Sequence, residues 1–442
     1  MGCEHKEGGG FYHPRQPQET PFYQLVERFY PQFKAVYEER YQERYGFWRP
    51  AVSTAVEKFL ECGDLQQGFA RVRCPDCGHE FFVAFSCRGR CFCPSCHQKR
   101  ALQTALWVSQ EVCAAVPHRQ FVFTIPKRLR IYFRFDRRLL GELCRAAWQV
   151  VRQVYAAASD QPEAVPGMIG AIQTFGDLIH WHPHIHALVS EGIFLHDGTF
   201  VPLPKLATEP FLKLWEQEVF KLLLAEGKIT EEIVANIRSW QHSGFSVDQS
   251  VRVEAKDTEG IQRLIDYFLR CPFSQARMIE VTGQGKVIYK TGDNRLGRFP
   301  EAASDDLLAG PKRNFQVFDP LDFLAEVTQH VPDPGEHLIR YYGFYSNKSR
   351  GLRAKGQPAS TAAPNSAPAP SAKQARKRWA ALIKQVYEID PLSCPNCGGE
   401  MKVISFIERN QSAVIERILR HCGLWEEAPA RAPPPVRQTV TV

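Results

Sequence analysis

Apolar and aromatic residues recur at helical spacing from about residue 22 to residue 60, in FYQLVERFYPQFKAVYEERYQERYGFWRPAVSTAVEKFLECG, with Pro50 between two predicted helices. The same spacing makes ALQTALWVSQEVCAAV (101–116) an amphipathic helix, and RQFVFTIP (119–126) reads as a strand. Helices near 136–158 and 205–226 bracket HWHPHIHALVSEGIF (180–194). There Ala171, Ile172, Phe175 and Ile179 before it, and Ala187, Leu188 and Val189 after it, predict buried strand. KDTEGIQRLIDYFLR (256–270) predicts another helix, and strand-like stretches at 276–282 and 286–291 flank the turn Gly283-Gln284-Gly285. Helices alternating with antiparallel hairpins predict an α+β fold, a central, mostly antiparallel sheet with flanking helices.

Between 356 and 374, GQPASTAAPNSAPAPSAKQ is rich in Pro, Ala and Ser and lacks acidic residues, which predicts a solvated linker. It divides the chain into a helical and cysteine-rich N-terminal part (1–105), a central body (106–355), the linker, a small C-terminal unit (375–428) and a disordered Pro-rich tail (429–442). The C-terminal unit combines a helix (375–388), a cysteine pair, the strand MKVISFI and a helix ending near Trp425. A length of 442 residues suits several cores. No run approaches 18 apolar residues, and the N-terminus has no apolar stretch that could serve as a signal. Met1-Gly2-Cys3 starts like a lipidation signal, but Lys6 stands where Ser or Thr is needed. A soluble cytoplasmic protein without a membrane partner is expected.

Fourteen cysteines in such a chain, many of them in Cys-x-x-Cys pairs, favour metal over disulfides. Cys74-Pro75-Asp76-Cys77 and Cys93-Pro94-Ser95-Cys96 predict two knuckles that meet around one tetrahedral, structural zinc. Cys62, Cys87 and Cys91, with His79 and His97 nearby, leave room for a second ion without assigning its ligands. Cys394 and Cys397 form a further knuckle, for which His421 and Cys422 are the expected completion.

His184 and His186 stand two residues apart on a predicted strand and therefore share a face, where together they can grip one metal ion. His182 has the same parity and is the favoured third ligand, ahead of Glu191 or a residue of the 256–270 helix; Asp177 is a candidate for orienting a ligand but reads better as an ordinary turn or strand-edge carboxylate. The net charge of +7 is unevenly spread. Eight Lys or Arg and no acidic residue lie between Tyr341 and Ala380, beginning in RYYGFYSNKSRGLRAK (340–355) and ending in KQARKR (373–378). PKRLRIYFRFDRR (126–138) has the same character. Cations interleaved with aromatics suit single-stranded nucleic acid, with Lys127, Arg128, Arg340, Lys348 and Arg350 as candidate contacts. No Gly-x-x-x-x-Gly-Lys loop is present, and no ATP requirement is expected.

Taken in order, the zinc knuckles, FTIPKRLR (123–130), HPHIH (182–186), YFLRCPFS (267–274) and RYYGFYSN (340–347) make the chain resemble transposases of the IS91 family, rolling-circle enzymes of the HUH superfamily. The resemblance covers nearly the whole chain and implies an HUH endonuclease-like body with Mg2+ or Mn2+ on His184 and His186. The family's nucleophile segment, a Tyr followed three residues later by Arg and five later by Pro, matches Tyr267, Arg270 and Pro272. It thus implies a 5′-phosphotyrosine at Tyr267, with Arg270 at the DNA. Classical members carry a second tyrosine four residues earlier, where this chain has Arg263, so it resembles the single-tyrosine branch. Tyr341, Tyr342 and Tyr345 are the alternative tyrosines. The implied partners are single-stranded DNA at element ends and target DNA, in a bacterial, nucleoid-associated setting, and self-association into a homo-oligomer is allowed. Two other readings stand beside this one. A plasmid relaxase or replication initiator would usually append helicase or primase motifs, which are absent; a non-catalytic, zinc-dependent DNA-binding regulator would keep the strand as scaffold only.

Overall fold

The computed structural model describes residues 16–159, 161, 164–176, 178–281, 286–291, 297–298, 312–356 and 393–425. Asp177, the turn at 283–285, most of the linker, the helix expected at 375–388, KQARKR and the tail lie outside the described residues. Compactness divides the chain into two units, neither of which is one continuous stretch. One comprises Met1–Gln16, Glu61–Ser86 and Ile383–Val442, the other Pro17–Leu60 and Cys87–Leu382.

The larger unit is built on a sheet whose strands run Ile339–Gly343, Gly167–Phe175, Trp181–Ser190, His118–Thr124 and Ser246–Asp248 in spatial order. Arg252–Val253 also pairs with His118–Thr124. Every pairing is antiparallel, so the expected α+β class and sheet type are both present. Because side chains alternate across a strand, the register sorts the central strands cleanly. Ile185, Ala187 and Val189 share one face with Phe121, Phe123, Met168 and Ile172. That face packs on the helices Arg138–Ser159 and Thr208–Ala225, through residues such as Leu143, Val150, Phe211 and Trp215. His184, His186 and Leu188 point the other way, beside Gln173, Ala171 and Ile169. This second face is covered by the helix Thr258–Phe268 and the helix Pro94–Trp107, which continues as a π-helical turn over Val108–Val112. The histidine pair thus faces the layer with the smaller apolar cluster, while its strand neighbours anchor the main core.

The helical lead-in forms as Pro21–Arg40, a single turn at Gln42–Tyr45, and Pro50–Leu60. Thr20 caps the first helix by accepting from the Tyr23 amide, with Pro21 at a position that needs no donor. This lead-in packs within the larger unit. Tyr41 and Tyr45 donate to Asp322 and Glu326 of the helix Pro320–Gln329, and Arg49 binds the carbonyls of Thr328 and Val331. The basic run at 340–355 is ordered differently from a free single-strand platform. Its first residues form the edge strand, and Tyr345 is buried against His118, with 2.6 Å between its hydroxyl and Nε2.

The smaller unit carries a three-stranded antiparallel sheet with Gly68–Arg73 between Lys402–Glu408 and Glu80–Ala84. Phe69, Ile407, Ile415 and Leu419 fill its core, the last two from the helix Ser412–His421.

Candidate nuclease site and metal centres

The histidine strand delivers two imidazoles to one point. His184 Nε2 lies 3.0 Å from His186 Nε2, and both rings are largely buried. His184 Nδ1–H donates to the His182 carbonyl at 2.8 Å, which leaves the Nε2 lone pair directed at its neighbour. His186 stacks on Phe268 and meets the ring of Tyr267 edge-on, centroid to centroid 5.4 Å. Its Nδ1 faces the Gln120 amide at 3.3 Å. Burial is the main force holding both imidazoles in the neutral form. For His184 the charges of Arg270 and Arg130 add to it, and for His186 the charge of Arg270 and the repulsion that a second proton on the pair would meet.

Tyr267 ends the helix Thr258–Phe268, whose apolar stripe, Ile261, Ile265 and Phe268, is buried while Tyr267 remains 44% exposed. The helix end is fixed to the sheet by Gln173, which shares the histidine face. Its Nε2 donates to the carbonyls of Tyr267 at 3.0 Å and Phe268 at 2.8 Å. The Arg270 guanidinium lies 4.8 Å from the Tyr267 ring centroid and 5.3 Å from that of Phe175. An exposed phenol, two convergent imidazoles and a guanidinium are therefore gathered on one side of the sheet.

Among the described residues, no third His, Cys, Asp or Glu brings a ligand atom within 4.8 Å of both imidazoles. His182 is not among the groups within that distance. Its ring meets His184 at 5.1 Å between centroids, its Nε2 is buried without a partner, and burial lowers its pKa to about 3. Glu191 is equally removed, because Arg119 and Arg252 both bind its carboxylate. Of the candidate DNA contacts, Lys127, Arg128 and Lys348 are exposed, and Arg128 reaches Asn236. Arg350 lies over Trp107 and Tyr341, while Arg340 is half-buried over Gly141. Three site residues escaped the sequence reading. Gln120 and Gln173 have the parity of the histidine face, but that signal needs the strand register. Arg130, the last residue of FTIPKRLR, is the member of the motif whose charge bears on His182 and His184, and burial lowers its own pKa to about 10.

The cysteines group otherwise than their spacing suggested. In the smaller unit, the Sγ atoms of Cys74, Cys77, Cys394 and Cys397 all lie within 4.8 Å of one another. In the larger unit, Cys93 and Cys96 gather with Cys87, the Cys87 and Cys96 sulfurs 3.5 Å apart. Two corrections follow. The Cys74/Cys77 knuckle does not close on Cys93/Cys96, and Cys394/Cys397 are not completed by His421 and Cys422. Sequence proximity favoured both wrong pairings, whereas strand pairing across the chain decided the outcome. His97, next to Cys96, turns away from the sulfurs: Nδ1 accepts from the Cys91 amide and Nε2–H donates to the Leu269 carbonyl at 2.6 Å.

A putative transposase family model matches residues 167–352, and a transposase zinc-binding domain model matches residues 32–125. The transposase for insertion sequence element IS801 of Pseudomonas savastanoi pv. phaseolicola is 25% identical over 376 residues, covering 78% of this chain and 82% of that protein. The putative transposase y4qJ of Sinorhizobium fredii is 25% identical over 392 residues, 84% of this chain and 94% of that protein. No solved structure matches the chain. With a zinc-binding segment followed by a transposase body, and with relatives aligned along most of their own length, the chain belongs to the IS91 family of DNA transposases.

Proposed function

We propose that this transposase cuts single-stranded DNA at the ends of its element through Tyr267 and moves the strand in a rolling-circle reaction. The observation that carries this reading is the exposed Tyr267 ring set edge-on against His186, with Arg270 over the phenol. The phenol oxygen attacks phosphorus at the scissile phosphodiester, forms a 5′-phosphotyrosine and expels a 3′-hydroxyl; its proton passes to solvent, and the leaving oxygen takes one up. The later attack of a 3′-hydroxyl on the same phosphorus reverses the balance and frees Tyr267, so the covalent bond carries the energy for rejoining and no nucleotide is consumed.

His184 and His186 would hold a Mg2+ or Mn2+ ion, which when bound neutralises charge on the phosphate oxygens. The residues fit that task. Two nitrogens 3.0 Å apart suit adjacent positions on one ion with bonds of roughly 2.1 Å. Two protein ligands also leave positions for water and phosphate, as Mg2+ prefers. Gln120 then has a defined part: with its amide reversed, Oε1 accepts from His186 Nδ1–H and frees Nε2 as a ligand. Arg270 and Arg130, whose charges both reach His184, add positive charge that positions the phosphate and stabilises the charge that develops on it.

The test is incubation of the purified chain with labelled single-stranded DNA from the element's ends and Mg2+ or Mn2+, followed by denaturing electrophoresis and peptide mapping. A metal-dependent adduct on Tyr267, absent in Tyr267→Phe, is the expected result. His184→Ala should lose cleavage and keep DNA binding. Tight binding with no adduct at any end sequence would leave a regulator instead, and an adduct on Tyr341, Tyr342 or Tyr345 would move the nucleophile.

A further inference from the structure

We propose that Cys74, Cys77, Cys394 and Cys397 ligate one structural zinc, so that a single zinc ribbon is assembled from two stretches of chain with the transposase body inserted between its halves. The zinc-binding match ends at residue 125 and the body match at residue 352, so neither reaches the second knuckle.

The geometry is that of a four-thiolate site. Cys74 and Cys397, 323 residues apart, bring their sulfurs to 3.5 Å, as do Cys77 and Cys394, 317 residues apart. Four sulfurs about 2.3 Å from a tetrahedral zinc stand roughly 3.8 Å from each other, close to what is seen. The two knuckles are also built alike. The Cys74 amide donates to the His79 carbonyl at 2.8 Å and the Gly78 amide to the Cys74 carbonyl at 3.0 Å. At the other knuckle Cys394 donates to Gly399 at 2.8 Å and Gly398 to Cys394 at 2.9 Å. Gly78 and Gly398 both take a left-handed conformation, φ +77° and +73°, which a side chain would strain. Each turn thereby aims two sulfurs at a common centre.

The surrounding fold explains why the halves meet. Gly68–Arg73 leads into the first knuckle, Lys402–Glu408 leaves the second, and these strands pair antiparallel from Gly68↔Glu408 to Arg73↔Lys402. Val72 and Met401 pack with the buried Cys74 and Cys394 beneath the site. His79 does not join the four clustered sulfurs, and its Nδ1 faces the Asn396 amide at 3.4 Å. On this reading the C-terminal segment is half of the N-terminal ribbon and not an added module, and loss of either half releases the same ion.

The full-length chain tests this by zinc content and cobalt substitution. Cys394→Ser with Cys397→Ser should remove one equivalent of zinc per chain, Cys74→Ser with Cys77→Ser the same one, and all four together still one. Zinc retained at the Cys87, Cys93 and Cys96 centre reports that the variants fold. Cys397→His should keep the ion and change the cobalt spectrum. In the unmodified protein, alkylation of the exposed Cys77 and Cys397 should be slow until zinc is chelated, and then rise together. Unchanged zinc after the C-terminal pair is replaced, a loss of two equivalents in the fourfold variant, or prompt alkylation of Cys77 and Cys397 in zinc-loaded protein would each overturn the shared site.

Discussion

Arg270 holds two aromatic rings and still faces the side of the sheet where the imidazoles converge, so its charge is positioned before any substrate arrives. A guanidinium fixed in this way stabilises charge that develops on a phosphate more than charge already there. Arg270→Gln should therefore lower single-turnover cleavage on the order of 100-fold while shifting DNA affinity much less; equal losses in both would make Arg270 a plain binding residue. Glu326 shows the opposite use of a buried charge. Burial alone would raise its pKa, but hydrogen bonds from His180 and Tyr45, together with the charges of His180 and Arg134, hold it at about 2. A depressed carboxylate stabilises the fold above its ordinary value near 4.5 and loses that contribution as pH falls towards 2. The difference corresponds to on the order of 3 kcal/mol. Urea midpoints measured from pH 6 to pH 2.5 should fall more steeply for the wild type than for Glu326→Gln, and parallel curves would contradict the assignment.

At the level of elements, the end of the tyrosine helix is held from two directions. Gln173 binds the carbonyls of Tyr267 and Phe268 from the sheet, and His97 binds the next one, Leu269, from the cysteine knuckle. Carbonyls at a helix C-terminus lack partners within the helix, so both side chains satisfy groups that would otherwise fray, and both set where the phenol sits. His97 is a positioning residue on this argument. His97→Ala should speed amide exchange around residues 267–271 and cut adduct yield several-fold, with zinc content unchanged; unaltered exchange would disconnect the knuckle from Tyr267. The sequence showed these elements well where the signal was local. A spacing of two placed His184 and His186 on one face, and the segment 256–270 read as the helix that carries Tyr267. The partners Gln120 and Gln173 were invisible, because a glutamine on a strand is informative only once register sets what stands opposite. Tyr341 and Tyr342 misled for the same reason. Beside cations they suggested base stacking, yet they lie on an edge strand, with Tyr342 stacked on Trp148.

Across the whole molecule, clustered thiols and a pair of imidazoles offer two different donor sets, and the donor types were legible while the pairing of the cysteines was not. Cys-x-x-Cys announces zinc locally, but which knuckle meets which depends on strands 68–73 and 402–408 finding each other across the intervening chain. The thiolate centres should hold zinc with apparent binding free energies of roughly 10 to 16 kcal/mol, as soft closed sites do. Two imidazoles with open positions should bind Mg2+ or Mn2+ far more weakly, since neither ion favours nitrogen strongly. The two classes should therefore separate under chelation. Brief EDTA treatment should abolish cleavage, leave zinc content and the thermal midpoint unchanged, and be reversed by added Mg2+ or Mn2+. A mercurial that titrates thiolates should eject zinc and lower the midpoint, and Mg2+ should not restore cleavage. If nicking persists in EDTA while zinc stays bound, the divalent ion at His184 and His186 is not needed, and the imidazoles must serve the phosphate directly.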